Sequence, residues 1–139
     1  MGILIVDDSR AWRRAVCSIL HRHLDSVIIC ESSDGFDAVR RTEELKPDLV
    51  LLDIGLPNLN GLEAARLIRK VAPGSKILFL SAYHWPELLH EAMNIGALGM
   101  VAKSEAMRHL LPAVITVLRG EQYFGNGFST PDPAKSSDA

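Results

Sequence analysis

The chain has 139 residues, which fits one domain and leaves little room for a second. Hydrophobic residues make up 47% and charged residues 23%, the balance of an ordinary soluble domain with a sizeable core. The formal net charge of −2 argues against a nucleic-acid-binding domain, which usually carries a basic excess on one face.

The first element in the chain is Ile3-Leu4-Ile5-Val6, a continuous, β-branched apolar run that reads as a buried strand. It ends at once in Asp7-Asp8. Ser9 can cap a first helix running to about His21, with Trp12, Val16, Ile19 and Leu20 on one face. His21 and His23 suit the end of that helix, where positive charge complements the dipole. Val27 to Cys30 reads as a second buried strand. A second helix follows Asp34-Gly35, with Phe36 and Val39 among its apolar positions, and stops before Pro47.

Leu49 to Leu52 forms a third strand and ends in Asp53. Asn60 can cap a third helix containing Leu62, Ala65 and Ile68, closed before Pro73-Gly74. Ile77 to Leu80 is a fourth strand, ending in Ser81. Pro86 suits the first turn of a fourth helix that buries Leu88, Leu89, Ala92 and Met93, and Gly96 is its natural C-terminal cap. A weaker run from Leu98 to Ala102 is a fifth strand, followed by Lys103. A fifth helix carries the stripe Leu110, Val114, Val117, Leu118. After Gly120 the chain turns small, polar and Pro-containing, so residues 1–122 are expected to form the folded domain and 123–139 a flexible C-terminal tail or linker.

Cys17 and Cys30 lack CxxC spacing and a His partner at zinc-ligand spacing, so they read as buried thiols in a reducing compartment. No basic leader precedes the first strand, and no apolar run approaches a membrane span. A cytoplasmic protein is expected, with no membrane contact.

Strand and helix alternate as (βα)5. Apolar runs that continue without alternation need helices on both faces, and right-handed crossovers then limit the topology to an α/β, doubly wound, open parallel sheet. Ligand sites in such sheets lie outside the carboxyl ends of the strands. Asp7, Asp8, Asp53, Ser81 and Lys103 all fall there.

Taken singly, each of these residues has a plainer role. A strand-end Asp is a common turn former or helix cap, Ser81 a turn residue, and Lys103 a solvated charge. Their shared edge points to chemistry instead. Two carboxylates about 4 Å apart repel by roughly 4 kcal/mol at an effective dielectric of about 20. A hard divalent cation compensates, and Mg²⁺ takes such oxygen ligands. Asp8 and Asp53 would be direct ligands, Asp7 direct or through water, and the Gly55 backbone carbonyl a further oxygen. Such a site suits phosphoryl transfer onto Asp53, with Lys103 and the Ser81 hydroxyl on phosphoryl oxygens.

The stretches Ile3–Arg10, Pro47–Pro57, Asn60–Glu63, Leu80–Ala82 and Gly96–Lys103 resemble the receiver domain of bacterial two-component response regulators. The resemblance runs from Ile3 to about Gly120. It implies a flavodoxin-like five-stranded sheet of order 2-1-3-4-5. It implies that Asp53 accepts phosphate from a sensor histidine kinase or phosphotransfer protein, that Asp7 and Asp8 bind Mg²⁺, and that Ser81 and Lys103 contact the phosphoryl group. Such a domain is a phosphoacceptor switch that takes part in its own phosphotransfer and dephosphorylation rather than an enzyme. Its fourth helix, fifth strand and fifth helix rearrange to bind an output partner or a second copy.

The pattern Gly96-Ala97-Leu98-Gly99-Met100-Val101-Ala102-Lys103-Ser104 and the later Tyr123-Phe124 are similar to receivers of helix-turn-helix regulators. The chain is therefore either a stand-alone receiver or the receiver part of a DNA-binding transcriptional regulator, and is not itself expected to bind nucleic acid. Met100 stands where the family usually has Tyr or Phe, and Ser104 replaces a frequent Pro at a peptide that is often cis. Gly55 and Tyr83 occupy variable positions expected to tune hydrolysis, Gly55 leaving room for water and Tyr83 shielding the phosphoryl group. Trp12 and Trp85 read as packing residues, though Trp12 lies one helical turn beyond Asp7-Asp8 and Trp85 opens the fourth helix on the expected output face.

Three other functions fit less well. A haloacid-dehalogenase-type phosphatase usually needs a second Asp two residues after its nucleophile, where this chain has Gly55. A module that kept the fold without phosphorylation has no need of the intact Asp7, Asp8, Asp53, Ser81 and Lys103 set. A flavin or nucleotide domain lacks its Gly-rich loop after the first strand.

Overall fold

The computed structural model describes residues 1–83 and 86–124. Its elements are β1 (Gly2–Val6), α1 (Arg10–His23), β2 (Ile28–Ser32), α2 (Gly35–Leu45), β3 (Leu49–Asp53), α3 (Gly61–Val71), β4 (Lys76–Ser81), α4 (Pro86–Ile95), β5 (Gly99–Ala102), α5 (Ala106–Leu118) and β6 (Tyr123–Phe124). A short 3₁₀ turn, Lys103–Glu105, joins β5 to α5. The strands form one parallel sheet of order β2-β1-β3-β4-β5-β6. The doubly wound flavodoxin-like order expected for the first five strands is therefore the order found.

Strand geometry sorts the core. Successive side chains point to opposite faces, so each unbroken apolar run feeds two layers. Leu4, Val6, Val50, Leu52, Ile77 and Phe79 pack with Ala38, Ala65, Ile68 and Leu89 from α2, α3 and α4. Ile3, Ile5, Leu49, Leu51, Leu78 and Leu80 pack with Val16 and Leu20 of α1 and Leu110, Val114 and Val117 of α5. The helices start where their caps dictate. Ser9 Oγ accepts from the Trp12 N–H, Asp34 from Asp37, and Asn60 closes a reciprocal capping box with Glu63.

Two expectations, on the second strand and on Met93, are corrected, and one apolar helix residue proves exposed. The second strand begins one residue later than Val27 and is not buried throughout: Ile28 is 68% exposed. It is the sheet's edge, paired only with β1, so one side lacks a neighbour to cover it. Phe36 is 60% exposed. The inward stripe of α2 is Gly35, Ala38 and Thr42, and a residue adjacent to Gly35 is turned about 100° away from it. Met93 of α4 is exposed as well, because the buried positions of that helix are Leu89 and Ala92.

A sixth strand is added where a tail was expected. Tyr123 and Phe124 pair with Gly99 and Met100. Phe124 packs on one core layer and Tyr123 on the other, with the Tyr123 hydroxyl 2.6 Å from His109 Nδ1 on α5. Gly99 permits this pairing, since a Cβ there would stand 2.5 Å from the Tyr123 carbonyl oxygen. Residues 125–139, most of the expected tail, and Trp85 lie outside the described residues. The peptide between Lys103 and Ser104 is trans. No helix among the described residues is long and apolar enough to cross a membrane.

Candidate functional site

Parallel strands deliver their C-terminal ends to one rim. Asp7 and Asp8 follow β1, Asp53 ends β3, Ser81 ends β4 and Lys103 follows β5. In the sheet register Asp53 pairs with Leu80, and Ser81 with Ala102, so these ends are neighbours.

The carboxylates of Asp7, Asp8 and Asp53 converge: one oxygen from each lies within 4.8 Å of the others. Asp7 is 1% and Asp53 6% exposed, while Asp8 faces solvent. Asp7 is held on every side. Its N–H donates to the Ser32 carbonyl at 3.1 Å, its Oδ1 accepts from the Ser9 N–H at 2.8 Å, and its carbonyl accepts from Arg13 Nη1 at 2.6 Å. Arg13 Nε also donates to Glu31, tying α1 to the edge strand.

Lys103 supplies the positive charge. Its Nζ donates to Asp7 Oδ2 at 2.5 Å and lies 3.5 Å from Asp53 Oδ2. The same ammonium stands 5.1 Å from the centre of the Trp12 ring. Burial pushes the Asp53 carboxyl above the usual carboxylate range; Lys103 pulls it back, and the neighbouring Asp7 charge adds to the rise. One ammonium cannot balance three carboxylates, and the remaining negative charge matches a divalent cation held by oxygen ligands. Asp8 offers its oxygens from the solvent side, which gives an ion a way in. The donor set therefore fits a hard cation.

The loop after Asp53 is clamped. Gly55 turns its N–H back onto Asp53 Oδ1 at 3.3 Å, and the Gly61 N–H donates to the Ile54 carbonyl at 2.8 Å. A Cβ on residue 61 would lie 2.1 Å from the Asp53 carbonyl oxygen, so α3 can start this close to β3 only at a glycine. A Cβ on residue 55 would meet nothing within 4 Å, so the approach beside Asp53 is open.

Ser81 is fully buried at the same rim, with its hydroxyl engaged locally. Its Oγ donates to the Tyr83 carbonyl and accepts from the Tyr83 N–H, both at 3.0 Å. The expected residues are thus brought to one edge, but the Ser81 hydroxyl is turned into its own loop. Arg13 and the Trp12 ring contact were not singled out by sequence. The spacing of one helical turn past Asp7-Asp8 was the signal available for both.

A flavodoxin-like α/β domain with an acidic pocket at its strand ends is the class of protein that this fold and rim define. Residues 3–115 match the family model described as the response regulator receiver domain, and the chain belongs to that family. It is 34% identical over 130 residues to the transcriptional activator protein ExaE of Pseudomonas putida, covering 94% of this chain and 61% of that protein. It is 34% identical over 118 residues to the transcriptional regulatory protein LnrK of Bacillus subtilis (strain 168), covering 85% and 54%. Among solved structures, a LuxR-family two-component response regulator from Aurantimonas sp. SI85-9A1 matches with a TM-score of 0.83 at 29% identity, covering 96% of this chain and 92% of that one. The chain spans just over half the length of the two curated relatives described, at 61% and 54%. It is a receiver domain of the two-component type, a signalling switch homologous to transcriptional regulators.

Proposed function

We propose that Asp53 accepts a phosphoryl group, in a Mg²⁺-dependent reaction, from a sensor histidine kinase or a phosphotransfer protein. The observation that carries this reading is the buried Asp53 carboxylate beside Asp7 and Lys103, on a rim where Asp7, Asp8 and Asp53 converge within 4.8 Å. Asp7, Asp8, Asp53 and the Gly55 carbonyl would hold the Mg²⁺ ion. When bound, it supplies charge neutralisation for the carboxylates and for the phosphoryl oxygens.

The chain's own residues then do the following. An Asp53 carboxylate oxygen attacks phosphorus, the bond from phosphorus to the donor's imidazole nitrogen breaks, and the imidazole leaves with the electron pair. The product on Asp53 is an acyl phosphate. Lys103 has only a short distance to cover from Asp7 to a phosphoryl oxygen on Asp53. The Ser81 hydroxyl leaves its bonds with Tyr83 and donates to another phosphoryl oxygen. Because that hydroxyl is tied to the backbone just before α4, its movement loosens the start of α4. The face of α4, β5 and α5 then changes and controls a partner or a second copy of the domain. The transcriptional regulators among its relatives support a place as the receiver part of a DNA-binding transcriptional regulator, a cytoplasmic protein in which this part does not itself contact DNA.

Incubation with acetyl phosphate and Mg²⁺, followed by intact mass measurement, tests the reading. One phosphoryl group is expected on the wild-type chain, and none when Mg²⁺ is chelated. Equal uptake with and without Mg²⁺ rejects it.

A further inference from the structure

Trp12 combines two features that packing alone leaves unexplained. Its indole Nε1 is buried and makes no hydrogen bond among the described residues, although a buried indole N–H usually finds a partner. Its ring face meets the Lys103 ammonium 5.1 Å from the ring centre. The ring is therefore placed for its face and not for its N–H. Its position is set by the Ser9 cap, which accepts from the Trp12 backbone N–H at 3.2 Å, and by the neighbouring Arg13, which grips the Asp7 carbonyl.

We propose that Trp12 is a positioning residue for Lys103: its π face is a platform that holds the ammonium at the mouth of the acidic pocket, between Asp7 and Asp53. A lysine has a long, freely rotating stem and a compact charge. The quadrupole of an indole attracts a cation over its face, most strongly among the aromatic side chains. That attraction adds to those of Asp7, bonded at 2.5 Å, and Asp53, 3.5 Å away, in fixing where the ammonium stands. The lysine is then oriented before a phosphoryl group arrives, and little rotamer freedom is lost when it binds one.

This inference rests on the proposed phosphorylation of Asp53, and the experiment separates the two. In the 139-residue chain, Trp12→Phe keeps an aromatic face, whereas Trp12→Leu keeps bulk and apolarity but has no quadrupole. With acetyl phosphate and Mg²⁺, Trp12→Leu is expected to phosphorylate about 3- to 10-fold more slowly than wild type, and Trp12→Phe within about 2-fold of it. In a Lys103→Met background, Trp12→Leu is expected to add no further loss, because the group being positioned is gone. A wild-type rate for Trp12→Leu, or the same loss with Lys103→Met present, overturns the inference.

Fluorescence gives a readout that needs no phosphorylation. In a Trp85→Phe chain, Trp12 is the remaining indole, and Lys103→Met is expected to shift its emission at neutral pH. Unchanged emission overturns the contact, including where Trp12→Leu proves unable to fold. If the wild-type chain takes up no phosphate at all, the phosphoacceptor reading fails and the positioning role falls with it, while the emission shift still reports the contact.

Discussion

Lys103 Nζ is 2.5 Å from Asp7 Oδ2, an ångström closer than it is to Asp53 Oδ2 at 3.5 Å. The resting lysine is thus paired chiefly with the most deeply buried acid of the pocket, and the proposed phosphoacceptor holds the weaker share. That division leaves Asp53 less neutralised than Asp7, and it makes Lys103 structural as well as functional.

Removing the lysine should expose that structural part. Lys103→Met leaves Asp7, 1% exposed, without its cation. Breaking a buried pair usually costs about 3–5 kcal/mol, and partial exposure of Lys103, at 22% of its side chain, reduces the expected loss to roughly 2–4 kcal/mol. Urea denaturation at pH 7 in EDTA measures it, and added Mg²⁺ should recover part of the loss. A variant as stable as wild type in EDTA contradicts the pairing.

Asp53 should destabilise the fold whenever it is ionised without a cation. Burial, followed by the Asp7 charge, raises its carboxyl above the usual range despite the opposing pull of Lys103. An acid whose folded pKa exceeds its unfolded value binds more protons folded than unfolded between the two. Stability therefore falls as pH rises through that window, which begins near the ordinary Asp value of about 3.9. Asp53→Asn is expected to melt higher than wild type at pH 7 in EDTA, with the gap closing below about pH 4. Thermal melts across pH measure this, and a lower melting temperature for Asp53→Asn at pH 7 contradicts it.

How much of this was readable in the amino acids depends on what each feature requires. The buried strands β1, β3 and β4 were legible because every residue meets a core layer, which leaves an unbroken apolar run. The rim acids were legible because each interrupts such a run at its end. Ile28 was misread as buried because apolarity alone does not say that β2 is an edge, and Met93 because it does not say which way α4 is turned. The pairing of Tyr123-Phe124 with β5 was not legible either. It needs Gly99, more than twenty residues earlier, to let two backbones approach, and no local pattern marks that. The local bonding of the Ser81 hydroxyl and the contact of Trp12 with Lys103 are likewise products of assembled geometry.

The glycine at 61 should be irreplaceable for the same kind of reason. A Cβ there would lie 2.1 Å from the Asp53 carbonyl oxygen, and that oxygen is backbone, so relief means moving β3 or α3. Gly61→Ala is expected to cost roughly 2–4 kcal/mol by overpacking and backbone displacement and to slow phosphorylation by acetyl phosphate at least about tenfold. Denaturant unfolding and phosphorylation rates check both parts. A neutral variant would mean that the loop after Asp53 is not clamped as described.

Tyr83 should set how long a phosphoryl group survives. Its backbone is bonded to Ser81 on both sides, which fixes it next to the rim, and the approach at Gly55 is open to water. Tyr83→Ala is expected to shorten the phosphoryl half-life several-fold, read by loss of the phosphorylated mass after removal of the donor. An unchanged half-life rejects shielding by this side chain.

The most direct test of the central proposal is to locate the phosphoryl group itself. After treatment with acetyl phosphate and Mg²⁺, borohydride reduction traps an acyl phosphate as the corresponding alcohol, and peptide mass mapping finds where it formed. The expected result is a single reduced position at Asp53, absent from the Asp53→Ala chain and from samples kept in EDTA. Trapping at Asp7 or Asp8, or label that persists in Asp53→Ala, would contradict the assignment of Asp53 as the acceptor.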